Sequence, residues 1–296
     1  MLLLVINESK LDKIFFLCVN VILGILMIVA LYPFLLTASS SISDPYAVAA
    51  RQVVLFPKGF SLLSYKMILS NPEVYRYYYN TLWYVSVGTV INVILTLIAA
   101  YPLSRKNFFL KNHIMIFITF TMFFSGGMIP TFLLVRGLGL YNTRWAIVLP
   151  TAIAVYNVII ARTYFQSTIP ESLCESAKID GANDILIMYK IVVPLSKPIV
   201  AVILLFSAVE HWNSFFPALI YLSDSALHPM QLFLRRVLLI QSEELVASAQ
   251  GTSERNMIGY QIKYTAIMVT IIPIICIYPF LQRYFVKGVM IGAIKG

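Results

Sequence analysis

The sequence predicts an all-α membrane protein, a polytopic bundle of six transmembrane helices, on three observations. Apolar residues make up 59% of the 296-residue chain and charged ones only 12%, with a mean hydropathy of +0.83. A soluble chain carries roughly twice that charged fraction. Apolar runs recur at the length of about 20 residues that a helix needs to cross a bilayer, at about 14–38, 80–102, 114–135, 145–166, 198–222 and 264–282. The basic residues that make the net charge +9 sit singly at the ends of these runs, as anchors do. That placement, without a basic patch and interleaved aromatics in a polar segment, excludes nucleic acid as a partner. The chain reads as one membrane domain spanning 1–296, in contact with lipid.

The first run, Ile14 to Ala38, outlasts the apolar core of about 7–15 residues found in a secretory signal, so it reads as an uncleaved span. The connection 39–79 follows, broken by Pro45, Pro57, Gly59 and Pro72. Its end is aromatic: Tyr75, Tyr77, Tyr78, Tyr79, Trp83 and Tyr84 lead into the second span. Aromatics there form an interfacial belt or a platform on which a sugar ring could stack. Arg105, Lys106 and Lys111 fill the short connection to the third span. Together with Lys10 and Lys13 before the first span, and Arg283, Lys287 and Lys295 after the last, they place both termini in the cytoplasm by the positive-inside rule. The long connections 39–79 and 223–263 each carry four Lys or Arg and lie outside; long segments cross largely regardless of charge. The second of them is either a partner-facing segment or a packed cap.

Residues 170–198 hold the most informative pattern, PESLCESAKIDGANDILIMYKIVVPLSKP. Pro170 suits a first helical turn, and 171–179 form a short helix with Leu173 and Ala177 four apart on one face. Asp180-Gly181 interrupts it, glycine supplying the positive φ of a helix end. A second short helix runs from about Asn183 to Lys190. The product is a helix–turn–helix elbow. Ala177, Gly181 and Ala182 admit a close backbone, and Glu175 and Asp180 offer carboxylates to a basic partner. On these grounds alone it is equally a re-entrant or surface helix pair.

Inside the spans, polar groups are costly and mark functional candidates. The fifth span carries Glu210, His211, Trp212 and Asn213, and Glu210 is the one carboxylate inside a predicted span. Trp212 could stack on a pyranose ring, and Arg162 could neutralise Glu210 or reach for the membrane surface. Tyr156, Asn157 and Asn92 are further candidates. The competing role for all of them is hydrogen bonding between helices. His113, His211 and His228 share no ligand spacing, so no metal site is predicted, and Cys18, Cys174 and Cys276 fit neither a zinc site nor a redox pair.

The elbow resembles the signature of binding-protein-dependent ABC importer permeases: Glu175-Ser176-Ala177, three residues, Gly181-Ala182, then Ile191-Val192-Val193-Pro194-Leu195. Asp-Gly-Ala at 180–182 and Pro-Leu-Ser-Lys-Pro at 194–198 resemble the carbohydrate-uptake, maltose-type branch. Ser176, Met188 and Val193 stand where that branch more often has Ala, an aromatic and Leu. Residues 124–150 and the tail YPFLQRYFVKGVMIGAIKG extend the likeness along the chain, toward permeases that pair with a homologous second subunit to import complex oligosaccharides.

The resemblance implies that the elbow is a coupling helix. Glu175, Ser176, Ala177, Asp180, Gly181 and Ala182 would dock on a cytoplasmic ATPase dimer, which binds ATP and Mg. It also implies a second permease, an extracellular substrate-binding protein meeting 223–263, an ATPase contact for 284–296, and a home in the bacterial plasma membrane. The chain has no GxxxxGK[ST] loop to cradle nucleotide phosphates, so the expectation is a permease subunit that is not itself an enzyme and binds no cofactor. An ion-coupled secondary transporter is the alternative; it would need more intramembrane carboxylates than Glu210. A membrane-embedded enzyme would need a catalytic cluster at bilayer depth, and none is apparent.

Overall fold

A computed structural model describes residues 10–247 and 253–293, with side chains over 10–239 and 257–277. Every regular element among the described residues is helical; the nearest approach to a sheet is one isolated bridge, Ser43 to Phe60. The chain gathers into two compact units.

The first unit joins the chain up to Ser70 with Arg236–Ile271. Helix α1 (Lys10–Ser41) has the length and apolarity of a span. Its side chains from Leu11 to Leu35 are largely exposed, and burial begins only at Ser39–Ser41. Two short helices follow, α2 (Pro45–Ala49) and α3 (Leu63–Leu69). Asp44 caps α2 by accepting the Tyr46 amide at 2.8 Å. Gly59, at φ +63, lies where a Cβ would sit 2.9 Å from the Asp44 Cβ. A fully buried amide knots the unit together. Gln261 Nε2 donates to the Ser41, Ser43 and Ser61 carbonyls at 3.1, 2.8 and 3.1 Å. Its Oε1 accepts from Ser64 Oγ at 2.7 Å.

The second unit joins Asn71–Arg235 with the chain beyond Ile271. Its centre is α4 (Pro72–Ser104). The helix starts ahead of the apolar run at 80 because Asn71 accepts the Glu73 amide at 2.9 Å and Pro72 occupies a first-turn position. Helices α5 (Lys111–Phe123) and α6 (Met128–Gly137) occupy the apolar run 114–135, bent by 112° at a short break. Gly127 takes φ +90 there, a conformation glycine reaches without steric cost. The run 145–166 is likewise divided, into α7 (Trp145–Val148) and α8 (Val155–Thr168), around Pro150.

Next come α9 (Glu171–Ile179), α10 (Asp184–Ile187), a π-turn at Met188–Val192 and α11 (Val193–Leu195). Helix α12 (Lys197–Trp212) turns 86° away from that group. It stops at Asn213, whose Nδ2 caps the Val209 carbonyl at 2.9 Å, so the run 198–222 continues as a separate α13 (Phe216–Tyr221). A 3-10 turn at Ser225–Leu227 precedes α14 (Met230–Ala247), and α15 (Ser253–Ala293) carries the last apolar run. Among the described residues three helices are long and apolar enough to span a membrane, or five when each bent pair is one span.

The core of this unit lies where α4, α8 and α12 meet, around Ala100, Val158, Ala161, Phe165 and Ile203. A second cluster, with Tyr84, Ile147, Val148, Ala218 and Leu222, packs the opposite end of α4. This is an all-α membrane protein in which the apolar runs 114–135 and 145–166 are broken at Gly127 and around Pro150.

Candidate functional site

The elbow is built by local chemistry. At the end of α9 the Ala182 amide donates to the Ala177 carbonyl at 2.9 Å and the Gly181 amide to the Lys178 carbonyl at 3.0 Å. This double closure needs a left-handed residue after the cap, and Gly181 supplies it at φ +82. Asn183 then caps α10, accepting the Leu186 amide at 2.8 Å. Lys178 and Asp184 bridge the two arms at 2.9 Å, and Tyr101 donates to the same carboxylate at 3.3 Å, fastening the elbow to α4.

Two further ties hold α9 in place. Lys106 pairs with Glu171 at 2.8 Å, and Arg105 donates to Cys174 Sγ at 3.1 Å. The Lys106 amine is pushed above its ordinary value, first by its hydrogen bond to Glu171 and then by that carboxylate's charge. Cys174 is buried in the main core.

The six elbow residues divide by face. Ala177 and Ala182 are half-buried against the core of their own unit, so the backbone they admit closely is this chain's. Glu175, Ser176, Asp180 and Gly181 are exposed. Ser176 bonds back to the Ser172 carbonyl at 3.0 Å. Glu175 takes part in neither ion pair found among the described residues. Around the hinge stand large apolar side chains in the open: Ile179 is 87% exposed, Ile185 74% and Tyr189 71%. Sequence inspection singled out none of these three, because in a chain this apolar they carry no contrast.

The pathway candidates also separate. Phe206 and Glu210 of α12 and its cap Asn213 follow one another along one side, at i, i+4 and i+7. Tyr156 joins them from α8, its ring 6.3 Å from that of Phe206. Tyr156, Glu210 and Asn213 are exposed. Asn213 Oδ1 receives Gln231 Nε2 of α14 at 3.5 Å. Four residues on, Arg235 lies over the Phe215 ring at 5.5 Å.

His211 and Trp212 point the other way and are buried. The imidazole rests on Gly88 of α4, where a Cβ would come within 2.4 Å of Nε2. Among the described residues neither His211 Nε2 nor Trp212 Nε1 has a hydrogen-bond partner. Arg162 donates to the Leu103 carbonyl at 3.0 Å, and the ion pairs found do not include one to Glu210.

Asn157 and Asn92 are buried together. Asn92 Oδ1 accepts from Ser207 Oγ at 2.9 Å, Asn157 Nδ2 at 3.4 Å and Thr96 Oγ1 at 3.4 Å. Its Nδ2 donates to the Thr151 carbonyl at 3.1 Å. One amide thus ties α4 to α8, to α12 and to the break before α8.

At the far end of α4 the aromatic cluster splits too. Tyr77 and Tyr84 are buried, while Tyr75 and Tyr79 face outward. Arg144 lies over Tyr79 and Trp83 at 5.3 and 5.1 Å and donates to Asn80 Oδ1 at 2.9 Å. That knot was not visible in the sequence, since Arg144 and Asn80 share no spacing. No group of three His, Cys, Asp or Glu among the described residues is placed to hold a metal ion.

Comparison with known proteins agrees along the chain. It is 41% identical over 278 residues to the polygalacturonan/rhamnogalacturonan transport system permease protein YtcP of Bacillus subtilis, covering 93% of this chain and 97% of the relative. It is 38% identical over 292 residues to protein LplC of the same organism, covering 98% of each. Among solved structures, a bacterial ABC transporter involved in the import of the acidic polysaccharide alginate superimposes with a TM-score of 0.84 at 35% identity. The match covers 94% of this chain and 99% of that one. Residues 92–291, which include the elbow and every pathway candidate named above, match the family of binding-protein-dependent transport system inner membrane components. With that match and these relatives, the chain belongs to that family and is an ABC importer permease subunit.

Proposed function

We propose that this chain forms, with a homologous second permease, the membrane path for an acidic oligosaccharide, and that a separate ATPase dimer drives it through the elbow. The observation that carries the proposal is the elbow itself. Ile179, Ile185 and Tyr189 stand exposed around a hinge pinned by Gly181, although the arms are held firmly from behind by Tyr101, Lys106 and Arg105. A rigid mount with an uncovered apolar face and an exposed carboxylate at Glu175, outside both ion pairs, suits a docking part. The face is then cytoplasmic, with both termini on that side, and ATP and Mg belong to the partner. The segment 223–263 would meet an extracellular binding protein; the side chains of 240–256, like the tail 284–296 assigned to the ATPase, lie outside the described residues.

Tyr156, Glu210 and Asn213 supply an aromatic face and hydrogen-bonding groups to a sugar, and Arg235, one helical turn from Gln231, supplies a cation for an acidic one. The substrate class follows the relatives whose names state polygalacturonan, rhamnogalacturonan and alginate. His211, Trp212 and Asn157 act from behind, in packing.

Reconstitution of the whole transporter in proteoliposomes tests both parts. Oligogalacturonate is expected to stimulate ATP hydrolysis in the presence of its binding protein, and a neutral oligosaccharide of equal length is not. Loss of a charge-assisted hydrogen bond is worth about 1.5–3 kcal/mol, so Glu175→Ala is expected to weaken ATPase docking about tenfold or more while insertion stays intact. Unchanged stimulated hydrolysis in Glu175→Ala removes that residue from the joint.

A further inference from the structure

Between the elbow and the end of α4 lies a cavity of about 550 Å³ to which the transport reading above assigns no ligand. Tyr101, Pro102 and Arg105 line it from the end of α4, Phe108 from the connection that follows, and Lys178, Asp184 and Ile185 from the elbow. Ile98 lines it too. From there an apolar ridge climbs α4 at every fourth position through Ile98, Ile94 and Val90, each at least half exposed. A largely apolar pocket that holds one arginine thus shares Ile98 with an exposed apolar ridge about 12 Å long.

The charge in the pocket is unbalanced. Lys178 is neutralised by Asp184 at 2.9 Å. Among the described residues no carboxylate pairs with Arg105: its Nε donates to Ser104 Oγ and its NH1 to Cys174 Sγ, each at 3.1 Å, and its guanidinium lies over Tyr101. A hydroxyl and a sulfur are weak acceptors for a guanidinium with five N–H donors. The remaining donors form the planar fork that pairs with phosphate oxygens. Two cations and one carboxylate leave the lining at one net positive charge, the complement of a phosphodiester.

We infer that this cavity binds an anionic phospholipid, the phosphate on the free donors of Arg105 and an acyl chain along Ile98, Ile94 and Val90. A bare phosphate would use the cation and leave the ridge bare; a zwitterionic lipid would use the ridge and bring a positive choline against Arg105. The inference goes beyond the transport reading and requires only that α4 spans the bilayer.

The test is native mass spectrometry on the delipidated, complete transporter with added phosphatidylglycerol or phosphatidylcholine. Phosphatidylglycerol is expected to be retained over phosphatidylcholine, and Arg105→Gln to weaken that retention about five- to tenfold, as one interfacial arginine is worth. Arg136→Gln, an exposed arginine on α6 away from the cavity lining, is expected to retain the lipid as the parent does. If Arg105→Gln lowers thermal stability, Ile98→Trp makes the same test with every charge in place, because it enlarges the one residue shared by the cavity lining and the ridge. Equal retention of the two lipids, retention unaffected by both Arg105→Gln and Ile98→Trp, or displacement of the lipid by millimolar inorganic phosphate, would each overturn the site.

Discussion

Two polar regions of the second unit, the Asn92 node and the elbow, use side-chain hydrogen bonds to opposite ends. At Asn92 the polar groups are fully buried and face one another, so each bond fastens one helix to the next. At the elbow the bonds run along the back, through Tyr101–Asp184 and Lys106–Glu171, and the front is left as exposed apolar surface. A buried amide in a span is a fastener; an uncovered isoleucine outside one is an unfilled contact. The difference separates what holds this molecule from what it offers to others.

The sharpest break of the comparison is at the fastener. Asn92→Leu removes the acceptor shared by Ser207 and Asn157 and leaves both groups buried. Each buried group left unsatisfied costs about 1–3 kcal/mol, reduced where membrane neighbours offer other partners, so a loss of about 3 kcal/mol is expected. The measurement is thermal unfolding of the detergent-solubilised transporter, with elbow docking unaffected in whatever fraction remains folded. A stability equal to the parent's would mean the node holds nothing.

Next in size is Gly88→Ala. The new Cβ would lie within 2.4 Å of the buried His211 ring, and overpacking of this kind costs about 1–3 kcal/mol. His211→Ala empties the space, so the double variant is expected to be more stable than Gly88→Ala alone. Additive losses in that double-mutant cycle would show that the two residues do not share the space. The cycle also sharpens the comparison, because it asks whether His211 belongs with the packing of the interior, as its burial states, rather than with the pathway where its place in the sequence put it.

The elbow and the helical membrane class were legible in the sequence because both rest on local rules. Glycine after a short helix, asparagine before the next and long apolar runs act within a few residues of one another. Which face each polar residue of a span presents was not legible. Glu210, His211, Trp212 and Asn213 are consecutive, yet 100° per residue sends two outward and two into the core. Only the position of α4, fixed by distant packing around Ala100 and Phe165, decides which pair is buried. The breaks inside the apolar runs were written there, in Gly126-Gly127 and Pro150, but hydropathy averages over single residues and passes across them. Arg105 was visible as an orientation signal; that its guanidinium would find a thiol and a hydroxyl in place of a carboxylate depends on residues up to 69 positions away.

The smallest expected effect on stability is at the hinge, and there the comparison becomes functional. A Cβ at residue 181 meets nothing within 4 Å, so Gly181→Ala creates no clash. What it adds is the cost of holding a Cβ at φ +82, about 1 kcal/mol for a single left-handed residue. Because the turn is exposed and carries its own closing bonds, the elbow can shed that cost by loosening, and the unfolding temperature of the bundle is expected to stay close to the parent's. Docking is expected to suffer more, since Ile179 and Ile185 keep their spacing only while the turn is closed. Gly181→Asn, which tolerates the left-handed region better, is expected to fall between glycine and alanine in ATPase stimulation. Should alanine and asparagine prove equal, the defect lies in the side chain and not in the backbone. If both leave stimulation untouched, the hinge is dispensable and the elbow transmits its load through the Lys178–Asp184 bridge instead.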